Sequence, residues 1–163
     1  MGSFFNADEV FEMAMDIEKS GESYYRKAAG RMENPKVKEL MDYLADEEQK
    51  HHQVFAGLRG SLPQKLTTRS MPDPEDQERL YLDALVKSRL FTGDQEAERV
   101  AASMDGELEA LKTALNFEKD TILFFIAMKD MTPEKLGREK IDLLINEEHT
   151  HVVKISKEIK NLT

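Results

Sequence analysis

Along four long stretches of the chain, apolar residues recur at spacings of three and four, the repeat of a helix that buries one stripe against neighbours. The first stripe reads Ala7, Phe11, Ala14, Glu18, Gly21, Tyr25, Ala28. The second reads Val37, Met41, Leu44, Glu48, His51, Phe55, Leu58. The third reads Leu108, Leu111, Leu115, Glu118, Ile122, Phe125, and the fourth Ile141, Leu144, Glu148, His151, Ile155. Start signals support three of the helices. Asn6 with Glu9 forms a capping box and Phe5 with Val10 a hydrophobic staple, whereas Asn34-Pro35 and Thr132-Pro133 each pair a cap with a first-turn proline. The expected helices run from Asn6 to about Gly30, from Asn34-Pro35 to about Leu58, from about Glu107 to Lys129, and from Thr132-Pro133 nearly to the C-terminus.

Residues 59–105 differ in character. Gly60, Pro63, Pro72, Pro74 and Gly93 punctuate them, and only two short apolar stretches, around Leu80–Leu85 and Val100–Ala102, suggest short helices. Neither could enclose a core of its own, so the segment reads as a crossover. The predicted fold is all-α: one four-helix bundle domain over 1–163, with a hairpin at about 6–58, the crossover at about 59–105 and a second hairpin at about 107–160.

Each apolar stripe is broken at one level only, and there by Glu or by Glu-x-x-His. In antiparallel helices, residues equidistant from the turn lie side by side. Glu18 and the Glu48/His51 pair are centred near residue 34, and Glu118 and the Glu148/His151 pair near residue 134, each beside a helix break. The intruders also repeat. Adding 100 to Glu18, Glu48 and His51 gives Glu118, Glu148 and His151, and Lys19, Glu39, Asp42, Leu44 and Glu47 recur at the same offset. The halves look like two copies of one hairpin.

Four carboxylates converging in a bundle core would repel one another, and each would cost several kcal/mol to bury alone. No Lys or Arg stands in the stripes to neutralise them. Two divalent metal ions would. Glu and His at i and i+3 project from one face and can reach one metal, and carboxylates with one imidazole per metal suit iron, while manganese and zinc also accept the set. The predicted ligands are Glu18, Glu48, His51, Glu118, Glu148 and His151.

Composition narrows the alternatives. The chain contains no cysteine, which excludes thiolate metal sites, disulfides and a cysteine nucleophile. Its net charge is −9, with no basic stripe, so neither nucleic acid nor an anionic membrane is an expected partner. Without an apolar run of membrane-spanning length or a leader-like start, the expected location is cytoplasmic.

The remaining candidates carry two readings each. His52 and His149 lie off the ligand stripe and read as surface residues or neighbours of a ligand. Glu47 and Glu147 precede the ligand glutamates and face outward or hydrogen-bond a nearby group. Tyr25 reads as a core aromatic, or as a hydroxyl that bonds a ligand or donates an electron. Met13, Met15, Met41 and Met128 read as core filler.

Residues 14–25, AMDIEKSGESYY, and 44–51, LADEEQKH, make the chain resemble the ferritin-like superfamily, and within it the rubrerythrin family in its short form. The resemblance implies that Glu48 and Glu148 bridge two metals, that Glu18 and Glu118 are terminal ligands, and that His51 and His151 serve one metal each. Two departures stand out. Rubrerythrins proper carry a rubredoxin domain with a four-cysteine iron, which a chain without cysteine cannot supply, so a separate electron-donor protein is implied. Rubrerythrins also place a further Glu three residues after the third-helix ligand, where this chain has Thr121, leaving a symmetric six-ligand set closer to the bacterioferritin pattern.

The leading expectation is a dinuclear iron oxidoreductase that reduces hydrogen peroxide or O2 while Fe(II) is oxidised, in a homo-oligomer, a dimer. A ferroxidase that binds and stores iron is the second, and a helical bundle merely stapled by metal the third.

Overall fold

The computed structural model describes residues 3–5, 7–63, 71–73, 77–89 and 91–163, with backbone alone described at 3–5, 71–73, 78 and 79. The first expected helix is α1, Ala7–Ala29. The capping predicted for it, by Asn6 and by the Phe5 side chain on Val10, lies outside the described residues. Helix α2, Pro35–Gly60, begins as its sequence dictates: the Asn34 Oδ1 accepts from the amides of Lys36 at 3.0 Å and Val37 at 3.4 Å.

The second hairpin is α5, Gly106–Met131, and α6, Arg138–Leu162. Here one prediction needs correction. Thr132-Pro133 does not start the fourth helix. The Thr132 hydroxyl instead donates 2.7 Å to the carbonyl of Met128, ending α5, and a short 3-10 turn at Glu134–Leu136 intervenes. The start of α6 falls after Gly137, whose φ of +108° favours glycine and where a Cβ would collide with Leu58 of α2.

Helix α1 packs on α2, and α5 on α6; α1 also faces α5 and α2 faces α6, which closes a four-helix bundle. The hairpins are locked at both ends. Glu107, at the start of α5, accepts from the amides of Glu33 at 2.8 Å and Asn34 at 3.0 Å in the α1–α2 turn. At the opposite end the start of α6 meets Leu58.

The apolar stretches of the crossover become α3, Gln77–Lys87, and α4, Asp94–Ser103. Helix α4 lies along α1 and α3 along α5. Leu82, Phe91, Ala97 and Ala101 are buried beneath them, and Phe91 stacks on Tyr24 of α1, with ring centroids 5.0 Å apart. The crossover thus roofs the face where α1 and α5 meet. That is why α5 buries a second stripe, Ala110, Ala114, Phe117, Thr121 and Phe124, beside the one its spacing foretold, while Leu108, Leu115 and Ile122 are only half-buried. Outside the bundle, β1, Ser3–Phe5, pairs antiparallel with β2, Met71–Asp73, a feature the sequence pattern did not suggest.

Apolar layers bracket the middle of the bundle. Val37, Met41, Leu44, Leu111 and Ile155 fill one side, and Phe11, Phe55, Phe125 and Ile141 the other. No helix among the described residues is long and apolar enough to cross a membrane.

Candidate metal centre

Between these layers lie the six residues expected from the sequence. Glu18 comes from α1, Glu48 and His51 from α2, Glu118 from α5, and Glu148 and His151 from α6; none is more than 1% exposed. They form two overlapping groups. Glu18, Glu48, His51 and Glu148 each offer one donor atom, all within 4.8 Å of one another, and so do Glu48, Glu118, Glu148 and His151. Glu48 and Glu148 belong to both groups. The one-turn spacing of Glu-x-x-His on α2 and α6 aims carboxylate and imidazole at one point.

The imidazoles face each other, with rings stacked 5.6 Å apart at 14°. The His51 Nδ1 lies 2.8 Å from Glu148 Oε1 and 3.5 Å from Glu18 Oε2. The His151 Nδ1 lies 2.8 Å from Glu148 Oε2 and 3.7 Å from Glu118 Oε2. Both rings therefore present Nδ1 to the carboxylates.

The donor set leaves much unsatisfied. Both oxygens of Glu18 and of Glu48, one oxygen each of Glu118 and Glu148, Nδ1 of His51 and Nε2 of His151 are buried without a hydrogen-bond partner. Among the described residues no lysine or arginine forms an ion pair with any of the six. Burial, and then the charges of neighbouring glutamates, push Glu48 and Glu118 far above the usual carboxylate range. Burial also raises Glu18, against a partial offset from His51. Glu148 goes the other way: burial opposes its ionisation, but the close polar contacts of Glu118, His151 and His51 outweigh that and hold it low. For the imidazoles burial is likewise outweighed by the carboxylates, which push His51 up to about 12 and His151 up to about 10. Held this way, the cluster keeps protons where cations would otherwise sit. A pair of divalent ions fits the oxygen-rich donor set, its orphaned atoms and its excess of acid.

The neighbours divide the earlier readings. Tyr25 is both a buried aromatic and a hydrogen-bond donor: its hydroxyl donates 2.5 Å to Glu118 Oε1. Burial, then the Glu118 charge, keeps that phenol protonated far above its ordinary range. Glu147 lies 2.7 Å from Nε2 of His51, crossing from one hairpin to the other, so it fixes which ring nitrogen faces inward. Its repeat partner Glu47 instead accepts from Lys50 at 2.6 Å. His149 is exposed and His52 half-buried, and neither joins the cluster. Met41 and Met128 are buried in the core, with Met13 and Met15 at its edge.

Sequence reasoning missed the role of Gly21. A Cβ there would sit 2.6 Å from Glu48 Oε2 and 2.7 Å from the Phe117 ring, so the missing side chain is the space the carboxylate occupies. A glycine on a stripe of larger residues was the available signal.

The rubrerythrin family profile matches residues 9–105, more than half of the chain. A ferritin-like diiron-carboxylate protein of Thermotoga maritima has a similar structure, with a TM-score of 0.75 at 18% identity over 100% of both chains. A hypothetical protein of Pyrococcus furiosus aligns with a TM-score of 0.63 at 17% identity, over 96% of this chain and 89% of that one. No match is found among curated proteins. At such identities these structures speak for the fold, and the family match speaks for descent. With the bundle and its buried Glu/His cluster in view, the chain belongs to the rubrerythrin family and has a ferritin-like fold.

Proposed function

We propose that this protein is a di-iron carboxylate oxidoreductase that reduces hydrogen peroxide or O2 with electrons from Fe(II). The observation that carries the reading is the pair of overlapping four-donor groups sharing Glu48 and Glu148. Glu18 and His51 would complete the holding of one ion, Glu118 and His151 of the other. Two irons, when bound, supply the two electrons that a peroxide O–O bond requires for cleavage.

The chain's own residues do the remaining work. Glu147 orients His51. Tyr25 holds a proton 2.5 Å from Glu118, on the same carboxylate that binds the second ion. Leu44, Phe55, Phe117 and Phe125 wall the centre and exclude bulk water. Re-reduction falls to an external electron-donor protein, since the chain offers no cysteine-bound redox iron. A homodimer in the cytoplasm is part of the same proposal.

A ferroxidase with iron storage is the second reading. Thr121 favours it: the residue is buried, its hydroxyl donates to the Phe117 carbonyl at 3.0 Å, and no seventh carboxylate stands there.

One experiment separates them. Apo-protein is loaded anaerobically with Fe(II), bound iron is counted per chain, and residual Fe(II) is followed after adding peroxide or O2. The Glu48→Ala/Glu148→Ala double variant runs alongside. Two irons per chain, lost in the double variant and oxidised faster by peroxide, support the oxidoreductase. Faster oxidation by O2, in an assembly of many subunits, supports storage. No stoichiometric iron refutes both.

A further inference from the structure

The roof over α1 and α5 is not sealed. Beneath α3 a narrow cleft of about 10 Å³, room for roughly one water molecule, runs between Ile17 and Ser20 of α1, Leu85 of α3, and Phe117 and Thr121 of α5. Outside it lies an open basin of about 780 Å³, bordered by Asp16, Lys19, Arg99 and the start of α4. The two cavities share Ser20 and Arg89. At that junction the Ser20 hydroxyl and the Arg89 Nε are both buried without a hydrogen-bond partner among the described residues. Ser20 itself is only 1% exposed. At the inner end, the Phe117 ring abuts the Gly21 notch that Glu48 Oε2 also fills.

From this geometry we infer that the basin, the Ser20–Arg89 neck and the cleft behind it form the entry path for a small hydroxylic oxidant, hydrogen peroxide, with the Phe117 ring as the last barrier before Glu48. The inference rests on the dinuclear reading above. The neck supplies hydrogen-bonding groups that no atom of the described residues satisfies, and a peroxide can bond to either of them. It disfavours metal ions as the traffic. The acids Asp16, Asp94 and Glu96 around the basin are balanced by Lys19, Arg89 and Arg99, and a guanidinium stands at the narrowest point. Behind the neck the walls turn mostly apolar, with Ile17, Leu85, Phe91 and Phe124 beside the carboxyl of Asp120. A passage this narrow transmits a peroxide only as these side chains fluctuate, so added bulk at its mouth closes it.

The test uses the full chain loaded with Co(II) or Fe(II). Ser20→Leu fills the neck, and Leu85→Ala widens the cleft from the roof. Two rates are read: azide association with the Co(II) form, by stopped-flow absorbance, and second-order oxidation of the Fe(II) form by peroxide. Cobalt stoichiometry and loading rate report separately on the centre. Ser20→Leu is expected to bind two Co(II) at the wild-type rate while both small-molecule rates fall about tenfold or more. Leu85→Ala is expected to raise them severalfold. Unchanged rates in both variants, with full cobalt loading, overturn the path. Should Ser20→Leu fail to load cobalt, the widened variant decides alone: faster entry supports the path and an unchanged rate overturns it. A wild-type chain that binds no cobalt overturns the dinuclear reading itself, a distinct result that removes the path with it.

Discussion

At the scale of single residues the centre is built from substitutions that an ordinary bundle core would reject. Gly21 is the sharpest case, because an alanine there would meet Glu48 and Phe117 inside contact distance. Gly21→Ala should cost about 1–3 kcal/mol by overpacking, which thermal unfolding reads, and should lower cobalt stoichiometry by displacing Glu48. Full stability together with full cobalt binding would refute the notch. Glu147→Gln tests the outer partner of His51. The amide keeps the shape but removes the charge that sets the ring nitrogen. Metal affinity should fall about ten- to hundredfold, measured by competition with a chelator, with little change in melting temperature. The equivalent change at Glu47, which bonds Lys50 rather than an imidazole, should do much less.

At the scale of elements, helix ends decide how the hairpins meet. Asn34 caps α2 through two amides, while its own amide is held by Glu107 of the other hairpin. Backbone hydrogen bonds from Asn34 and Glu33 hold the Glu107 carboxyl below its usual range. Asn34→Ala should therefore cost about 1 kcal/mol in denaturant unfolding, and a wild-type midpoint would show the cap to be idle. Gly137 is the counterpart at the other end. Its left-handed backbone and its contact with Leu58 both resist a side chain. The Thr132-Pro133 pair shows why a start signal can mislead. Cap chemistry is local, but a threonine between two helices can serve the end of the first as well as the start of the second. Here the Met128 carbonyl claimed its hydroxyl.

At the scale of the whole molecule, protons and metal ions compete for one cluster. In the metal-free state Glu18, Glu48 and Glu118 hold protons that the unfolded chain releases near the ordinary carboxylate value. His51 and His151 hold theirs up to about 12 and about 10. The folded apo-protein thus binds more protons than the unfolded chain above pH 6.5, the ordinary imidazole value, so its stability should fall as pH rises from there towards 10. Metal binding must displace the same protons, so metal affinity should rise across the same range. Melting curves with and without Co(II) between pH 6.5 and 9 would check both signs, and parallel curves would refute the coupling. Likewise Glu48→Gln, a neutral amide in place of a carboxyl that folding keeps protonated, should weaken the loss of apo-protein stability towards pH 9 while abolishing the gain from metal.

Much of this was legible in sequence because helical geometry is local. A spacing of three and four fixes which residues share a face, and an offset of 100 residues fixes which faces are equivalent. Fold class, the four long helices and the six buried Glu and His positions therefore followed from one-dimensional pattern alone. What the pattern could not contain were contacts between elements whose relative placement no spacing encodes. The Glu147 bond to His51 crosses hairpins, the Gly21 notch depends on α5 supplying Phe117, and the roof of α3 and α4 depends on where a long connection lies down. Residue order determined which side chains are available to the centre. Packing between helices decided how closely they converge, which nitrogen of each ring points inward, and where a small molecule finds a gap.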